Sequence, residues 1–144
     1  MLLDTGSHAL WVASSNSSGC GDRRKKFKSS ESDSFVNLNR SKQYRYIKAR
    51  VEGKTATDIV HLSSLAVNHE ILLVEKCVLD KYSSFDGVIG FGSGKQNKNI
   101  LDEGYADGQL VSSLYAISLS LDSNKKSFFY YNFTLKDFPT AFYL

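Results

Sequence analysis

Leu2-Leu3-Asp4-Thr5-Gly6-Ser7-His8-Ala9-Leu10-Trp11-Val12-Ala13-Ser14 is the stretch on which the reading of this 144-residue chain turns. Two apolar residues lead into an aspartate set among small hydrogen-bonding residues, and a second apolar run, Leu10-Trp11-Val12-Ala13, follows. An aspartate at the end of a buried strand, with threonine, glycine and serine donors beside it, is held rigid and aimed. Gly6 lets the backbone come close to that carboxylate because it carries no Cβ. The Asp4-Thr5-Gly6 triplet by itself reads equally well as a turn, since aspartate and glycine are ordinary turn residues. The surrounding sequence has to decide.

Outward from this stretch the chain alternates short apolar runs with polar turns. Strands are predicted over 10–13, 44–51, 57–62, 65–67, 71–74, 88–91 and 115–121. In the last of these Ala116-Ile117-Ser118-Leu119-Ser120-Leu121 shows the period of two of a half-buried strand. One short helix is predicted over 99–111, where Ile100, Leu101, Tyr105 and Leu110 recur at near-helical spacing around Gly104 and Gly108. Residues 14–34 are serine-rich and polar and read as a long surface loop. The aromatics of Phe128-Phe129-Tyr130-Tyr131-Asn132-Phe133 read either as an added strand or as a segment foreign to the fold. With 42% hydrophobic residues, 23% charged, one proline and ten glycines, the composition is that of one foldable, mostly β domain, with neither repeat nor internal boundary.

Charge and composition exclude several functions. The net charge of +3 is too small for a nucleic-acid footprint, and its excess in Arg23, Arg24, Lys25, Lys26 and Lys28 reads as a solvated loop. No apolar run reaches the roughly 18 residues that span a bilayer, because Glu70, Glu75, Lys76 and Asp80 interrupt the longest one. Neither nucleic acid nor membrane is therefore expected as a partner. Cys20 and Cys77 are too few for a disulfide framework and wrongly spaced for zinc, and the sequence leaves open whether they pair or stay free. His8, His61 and His69 lie apart, so no metal and no cofactor is expected.

Two catalytic motifs fail on spacing. Gly90-Phe91-Gly92-Ser93-Gly94-Lys95 has three residues between Gly90 and Gly94, and Gln96 after the lysine, where a phosphate loop needs four and a Ser or Thr. It reads as a tight turn leaving a buried strand. A nucleophilic serine or cysteine finds neither a Gly-x-Ser-x-Gly elbow nor a placed histidine.

The opening stretch, by contrast, has company. Asp4 to Ser14 is followed by Phe27 and Ser32-Asp33-Ser34-Phe35, by Tyr46 seven residues before Gly53 with Asp58 and Val60 beyond, and by Phe85-Asp86-Gly87-Val88-Ile89-Gly90-Phe91-Gly92. Gly108-Gln109-Leu110 and residues 115–121 close the series. In order and spacing, residues 2–121 resemble the N-terminal lobe of the pepsin-like aspartic proteases. The resemblance implies an all-β acid-protease lobe, a partial double-psi-type barrel with orthogonal sheets and one or two short helices. It implies an aspartic-type endopeptidase, with Asp4 as a catalytic carboxylate, Thr5, Gly6 and Ser7 supporting it, Tyr46 as the flap tyrosine over a peptide or protein substrate, and Trp11 behind that tyrosine.

The departures from the family are specific. Its mechanism uses two carboxylates that share a proton, and no second Asp-Thr-Gly or Asp-Ser-Gly occurs in this sequence. The chain thus reads as a single incomplete lobe over 1–144, truncated at both ends and inactive alone. The partner it implies is a C-terminal lobe, or less readily a second copy of the chain. At the flap tip Ile47, Lys48 and Ala49 stand where the family has glycines, which favours a catalytically dead peptide-binding relative as the alternative. A secreted or lysosomal glycoprotein is expected, with acceptor triplets at Asn16-Ser17-Ser18, Asn39-Arg40-Ser41 and Asn132-Phe133-Thr134.

Overall fold

The computed structural model describes residues 1–21, 25–79, 85–92, 98–122 and 124–134. Arg23 and Arg24 of the basic run, Ser93, Gly94 and Lys95 of the glycine turn, and the end of the tail lie outside these residues. The chain forms two compact units, Met1–Asn99 and Ile100–Leu144.

The first unit is a six-stranded sheet. Strands β1 (Leu2–Asp4), β2 (Leu10–Ser18), β3 (Val36–Tyr46), β4 (Ala49–Leu62), β5 (Leu65–Val78) and β6 (Gly87–Gly90) lie in the order β1-β6-β2-β5-β4-β3. β1 runs parallel to β6, and β2 runs parallel to β5 while pairing antiparallel with β6. β3, β4 and β5 form an antiparallel meander. The mostly β fold expected of a pepsin-like lobe is what the chain adopts.

The core explains the central position of β2 and β5. Trp11, Ala13, Cys20, Val51, Leu72, Val74, Cys77 and Val88 are buried together, and Tyr44, Tyr46, Leu79 and Phe85 pack against them half-buried. At about 25 cal/mol per Å² of apolar surface, a fully buried side chain such as Leu72 or Val74 contributes on the order of 2 kcal/mol. One buried carboxylate sits elsewhere in the sheet: Asp58 accepts hydrogen bonds from the Ser32 and Ser34 hydroxyls and from the Ile59 amide. The serine-rich turn before β3 is thus tied to β4, which satisfies a charge that would otherwise be costly to bury.

Several expected boundaries are corrected. Residues 44–51 are not one strand but a hairpin, Tyr46 pairing with Ala49 across the two-residue turn Ile47-Lys48. Residues 65–67 and 71–74 belong to a single strand, because the polar Asn68-His69-Glu70 keeps the alternation and pairs with Ile59, Asp58 and Thr57 of β4. Residues 14–34 are not loop throughout. β2 continues to Ser18, Phe27 bridges to Ser14, and a 3-10 turn spans Ser29–Glu31. Cys20 and Cys77 are paired, joining the end of β2 to the end of β5.

The second unit holds the helix α1 (Ile100–Ala106), shorter than the predicted 99–111. The backbone leaves it through Gly108 at φ 73°, a conformation that glycine adopts without strain. β7 (Tyr115–Ser118) pairs antiparallel with β8 (Phe128–Tyr131), so the aromatic segment supplies a strand and the strand predicted to 121 ends at Ser118. The Tyr115 and Phe129 rings stack across this hairpin at 5.7 Å.

Candidate active site

Asp4 is the last residue of β1 and stands in register with Gly90 of β6. Its carboxylate is held from both sides: the Gly6 amide donates to Oδ1 at 2.9 Å and the Ser7 hydroxyl donates to Oδ2 at 2.5 Å. The loop beyond Asp4 is locked onto the segment that leaves β6. Gly90 N–H donates to the Ala9 carbonyl at 2.9 Å, Phe91 N–H to that of Asp4 at 2.7 Å, and Gly92 N–H to that of Ser7 at 2.8 Å. Gly90 is required by this crossing, because a Cβ there would lie 2.4 Å from the Ser7 carbonyl oxygen. Thr5 is exposed in the turn and makes no side-chain bond to Asp4.

Tyr46 ends β3 at the tip of the β3–β4 hairpin, and its hydroxyl accepts a hydrogen bond from Trp11 Nε1 at 3.0 Å. Trp11 is 1% exposed and meets the Phe85 ring edge-on at 6.1 Å, so the indole anchors the hairpin tip from the core. Burial pushes the Tyr46 phenol above its usual pKa, and the charge of Asp4 adds to this, against the hydrogen bonds from Trp11 and Ser7. The phenol is therefore a neutral group at any pH where a carboxylate works. His8 meets Tyr44 edge-on at 6.4 Å, and its pKa is lowered by burial and then by the Lys42 ammonium. The structure thus brings Asp4, Gly6, Ser7, Trp11 and Tyr46 into one place.

Two cavities flank Tyr46, and Asp4 borders both. One, of about 450 Å³, is walled by Leu2, Trp11, Leu79, Phe85 and Val88. The other, of about 310 Å³, is bordered by Ser7, His8, Tyr44 and Arg45. Lys48 of the hairpin turn borders the first. Sequence reasoning singled out none of Leu79, His8 or Arg45 for the site, and took Lys48 only as a departure at the flap tip. Only the position of Arg45 beside Tyr46 could have drawn attention to it. Asp86 lines neither cavity and accepts a hydrogen bond from the Lys25 amide. Among the described residues no group of three His, Cys, Asp or Glu side chains is gathered for a metal ion.

A fixed carboxylate beside an aromatic-walled cleft, under a hairpin that carries a tyrosine, is an arrangement able to bind an extended apolar chain and to take a proton from water. The family model for eukaryotic aspartyl protease matches residues 1–134, and the chain belongs to that family. It is similar to pepsin A of Gallus gallus, 28% identical over 137 residues, which cover 89% of this chain and 37% of the relative. It is also similar to rhizopuspepsin-3 of Rhizopus niveus, 26% identical over 130 residues, covering 85% of this chain and 33% of the relative. Chymosin of Callithrix jacchus is 33% identical over 95 residues, covering 62% and 25%. The chain spans about a third of the length of the curated relatives it matches.

Proposed function

We propose that this chain is one lobe of an aspartic-type endopeptidase, with Asp4 as one of two carboxylates that activate water against a peptide bond. The observation that carries this reading is the grip on Asp4. Both of its oxygens accept hydrogen bonds, and the loop that carries it is pinned to Gly90 and Gly92. Two carboxylates in contact cannot both ionise, so one proton is shared between them. The ionised member takes a proton from water as the water oxygen attacks the carbonyl carbon, and the protonated member donates to the carbonyl oxygen. Collapse of the tetrahedral species returns a proton to the departing amine. Asp4 supplies one member, Ser7 and Gly6 hold its oxygens in place, and the apolar cavity seats a side chain of the substrate. The second carboxylate comes from a C-terminal lobe, or in a weaker reading from Asp4 of a second copy.

A second reading, a catalytically inactive peptide-binding protein, is supported by the hairpin tip, where Ile47, Lys48 and Ala49 stand in place of the glycines that the family resemblance implies. The disulfide between Cys20 and Cys77 supports an oxidising secretory or lysosomal route for either.

The test is peptide hydrolysis at acid pH. The purified chain should cleave nothing, and the chain joined to an aspartic C-terminal lobe should cleave, with loss of activity in Asp4→Asn. A joined protein that binds peptide without cleaving it would favour the second reading. Cleavage by the chain alone, rising with the square of its concentration, would favour the two-copy site.

A further inference from the structure

Some cations of the first unit are ion-paired and others are not. On the sheet Arg40 and Lys42 both reach Glu70, at 2.7 and 3.2 Å, and Arg50 reaches Glu52, while Lys28 reaches Glu31 at the 3-10 turn; Lys54 donates instead to the Ser41 hydroxyl and Lys26 to the Ser17 carbonyl, and Lys76 forms no ion pair with a described carboxylate. Arg45 and Lys48, one on each side of Tyr46, form no ion pair with any described carboxylate. These two are also the cations that border the cavities beside Asp4, Arg45 the smaller and Lys48 the larger apolar one. Arg45 moreover stands directly opposite Arg50 across the hairpin, a like-charge pairing that weakens a sheet. Cross-strand pairing therefore does not favour a cation at position 45, whereas a ligand of opposite charge would.

We propose that Arg45 and Lys48 are specificity-determining residues that select peptides carrying acidic side chains next to a bulky apolar residue. The apolar residue fills the cavity of about 450 Å³ between Trp11, Phe85 and Val88. Asp4 repels negative charge at the centre of the cleft, so the acidic side chains lie outward on both sides, toward the two hairpin cations. The proposal deepens the peptide-cleft reading and rests on it. The charged and titratable groups facing the two cavities are Asp4 from β1, His8 from the loop after it, Tyr44, Arg45 and Tyr46 from β3, and Lys48 from the turn. The selectivity is lost when the carboxyls of the peptide become neutral, below about pH 4.

Trp11 is the sole tryptophan, it lines the apolar cavity and it reports occupancy by fluorescence. The purified chain is titrated with the amidated, acetylated peptide Ala-Glu-Leu-Phe-Glu-Ala and with its counterpart carrying Gln for both Glu, at about pH 6.5 and about pH 3. The Glu peptide should bind roughly three- to tenfold more tightly at the higher pH in low salt, as expected for two exposed charge contacts. The difference should vanish at the lower pH and shrink as salt screens it. The Arg45→Gln, Lys48→Gln double variant should bind both peptides alike, and Arg45→Glu with Lys48→Glu should prefer a Lys-containing peptide. Equal binding of the two peptides at the higher pH, or a Glu preference that survives the double substitution, overturns the proposal alone. Failure of both peptides to bind the chain overturns the proposal, whereas the peptide-cleft reading stands or falls with peptide binding by the chain joined to a C-terminal lobe.

Discussion

Replacing Tyr46 with phenylalanine removes a single oxygen, the acceptor of the Trp11 Nε1–H bond. The indole is 1% exposed, so its donor loses a protein partner in a place that water reaches poorly. An orphaned buried donor costs about 1–3 kcal/mol. Tyr46 is only half-buried and borders an open cavity through which a water can approach, which places the loss at the low end, about 1 kcal/mol. Urea unfolding followed by Trp11 fluorescence reads this directly, because no other indole is present. With a slope of about 1–3 kcal/mol per molar urea, the midpoint should fall by roughly 0.5 M at unchanged slope. The same substitution in a Trp11→Phe background, followed by circular dichroism, should cost less than about 0.3 kcal/mol, leaving a coupling near 1 kcal/mol that belongs to the bond itself. An unchanged midpoint, or equal losses in both backgrounds, would refute the view that Trp11 anchors the hairpin through this hydrogen bond.

Two further outcomes follow from the same structure. Substituting Cys20 and Cys77 together by serine frees a closure of 57 residues, worth about 4 kcal/mol on the chain-entropy account, and should lower the urea midpoint far more than Tyr46→Phe does; a loss under about 1 kcal/mol would mean that the unfolded chain is already restricted without the bridge. His8 has a folded-state pKa below 6.5, held down by burial and then by Lys42, so the fold resists its protonation. Stability present above 6.5 is then lost as pH falls below that value toward the lower folded value. His8→Gln should flatten this part of the stability profile relative to the parent chain, and parallel profiles would show that His8 carries no such linkage.

Much of the site was legible because its chemistry is local. Asp4 and Ser7 lie three residues apart, Gly6 sits between them, and the bonds that fix the carboxylate are formed within one turn. The β class was legible for a similar reason, since alternation of apolar and polar residues records which face of a strand is buried. The same record misled where polarity and burial parted. Asn68-His69-Glu70 looks like a turn, yet His69 is buried and Glu70 is neutralised by Arg40 and Lys42 from the next-but-one strand.

By itself, then, the amino-acid sequence determined the periodicity of the strands, the small residues around Asp4, and the glycines that the crossing at Gly90 demands. Tertiary structure alone decided which elements meet: β1 beside β6 and β2 beside β5 as parallel pairs, Cys20 against Cys77, and the Trp11 indole on a tyrosine 35 residues away. It also decided that Arg45 and Lys48 border the cleft while Arg40, Lys42 and Arg50 find carboxylates on the sheet. The physical reason is that side-chain pattern encodes the burial of each segment but not its partner. Pairing is set by the packing of the whole core around Trp11, Leu72 and Val88, where distant segments compete for the same buried faces.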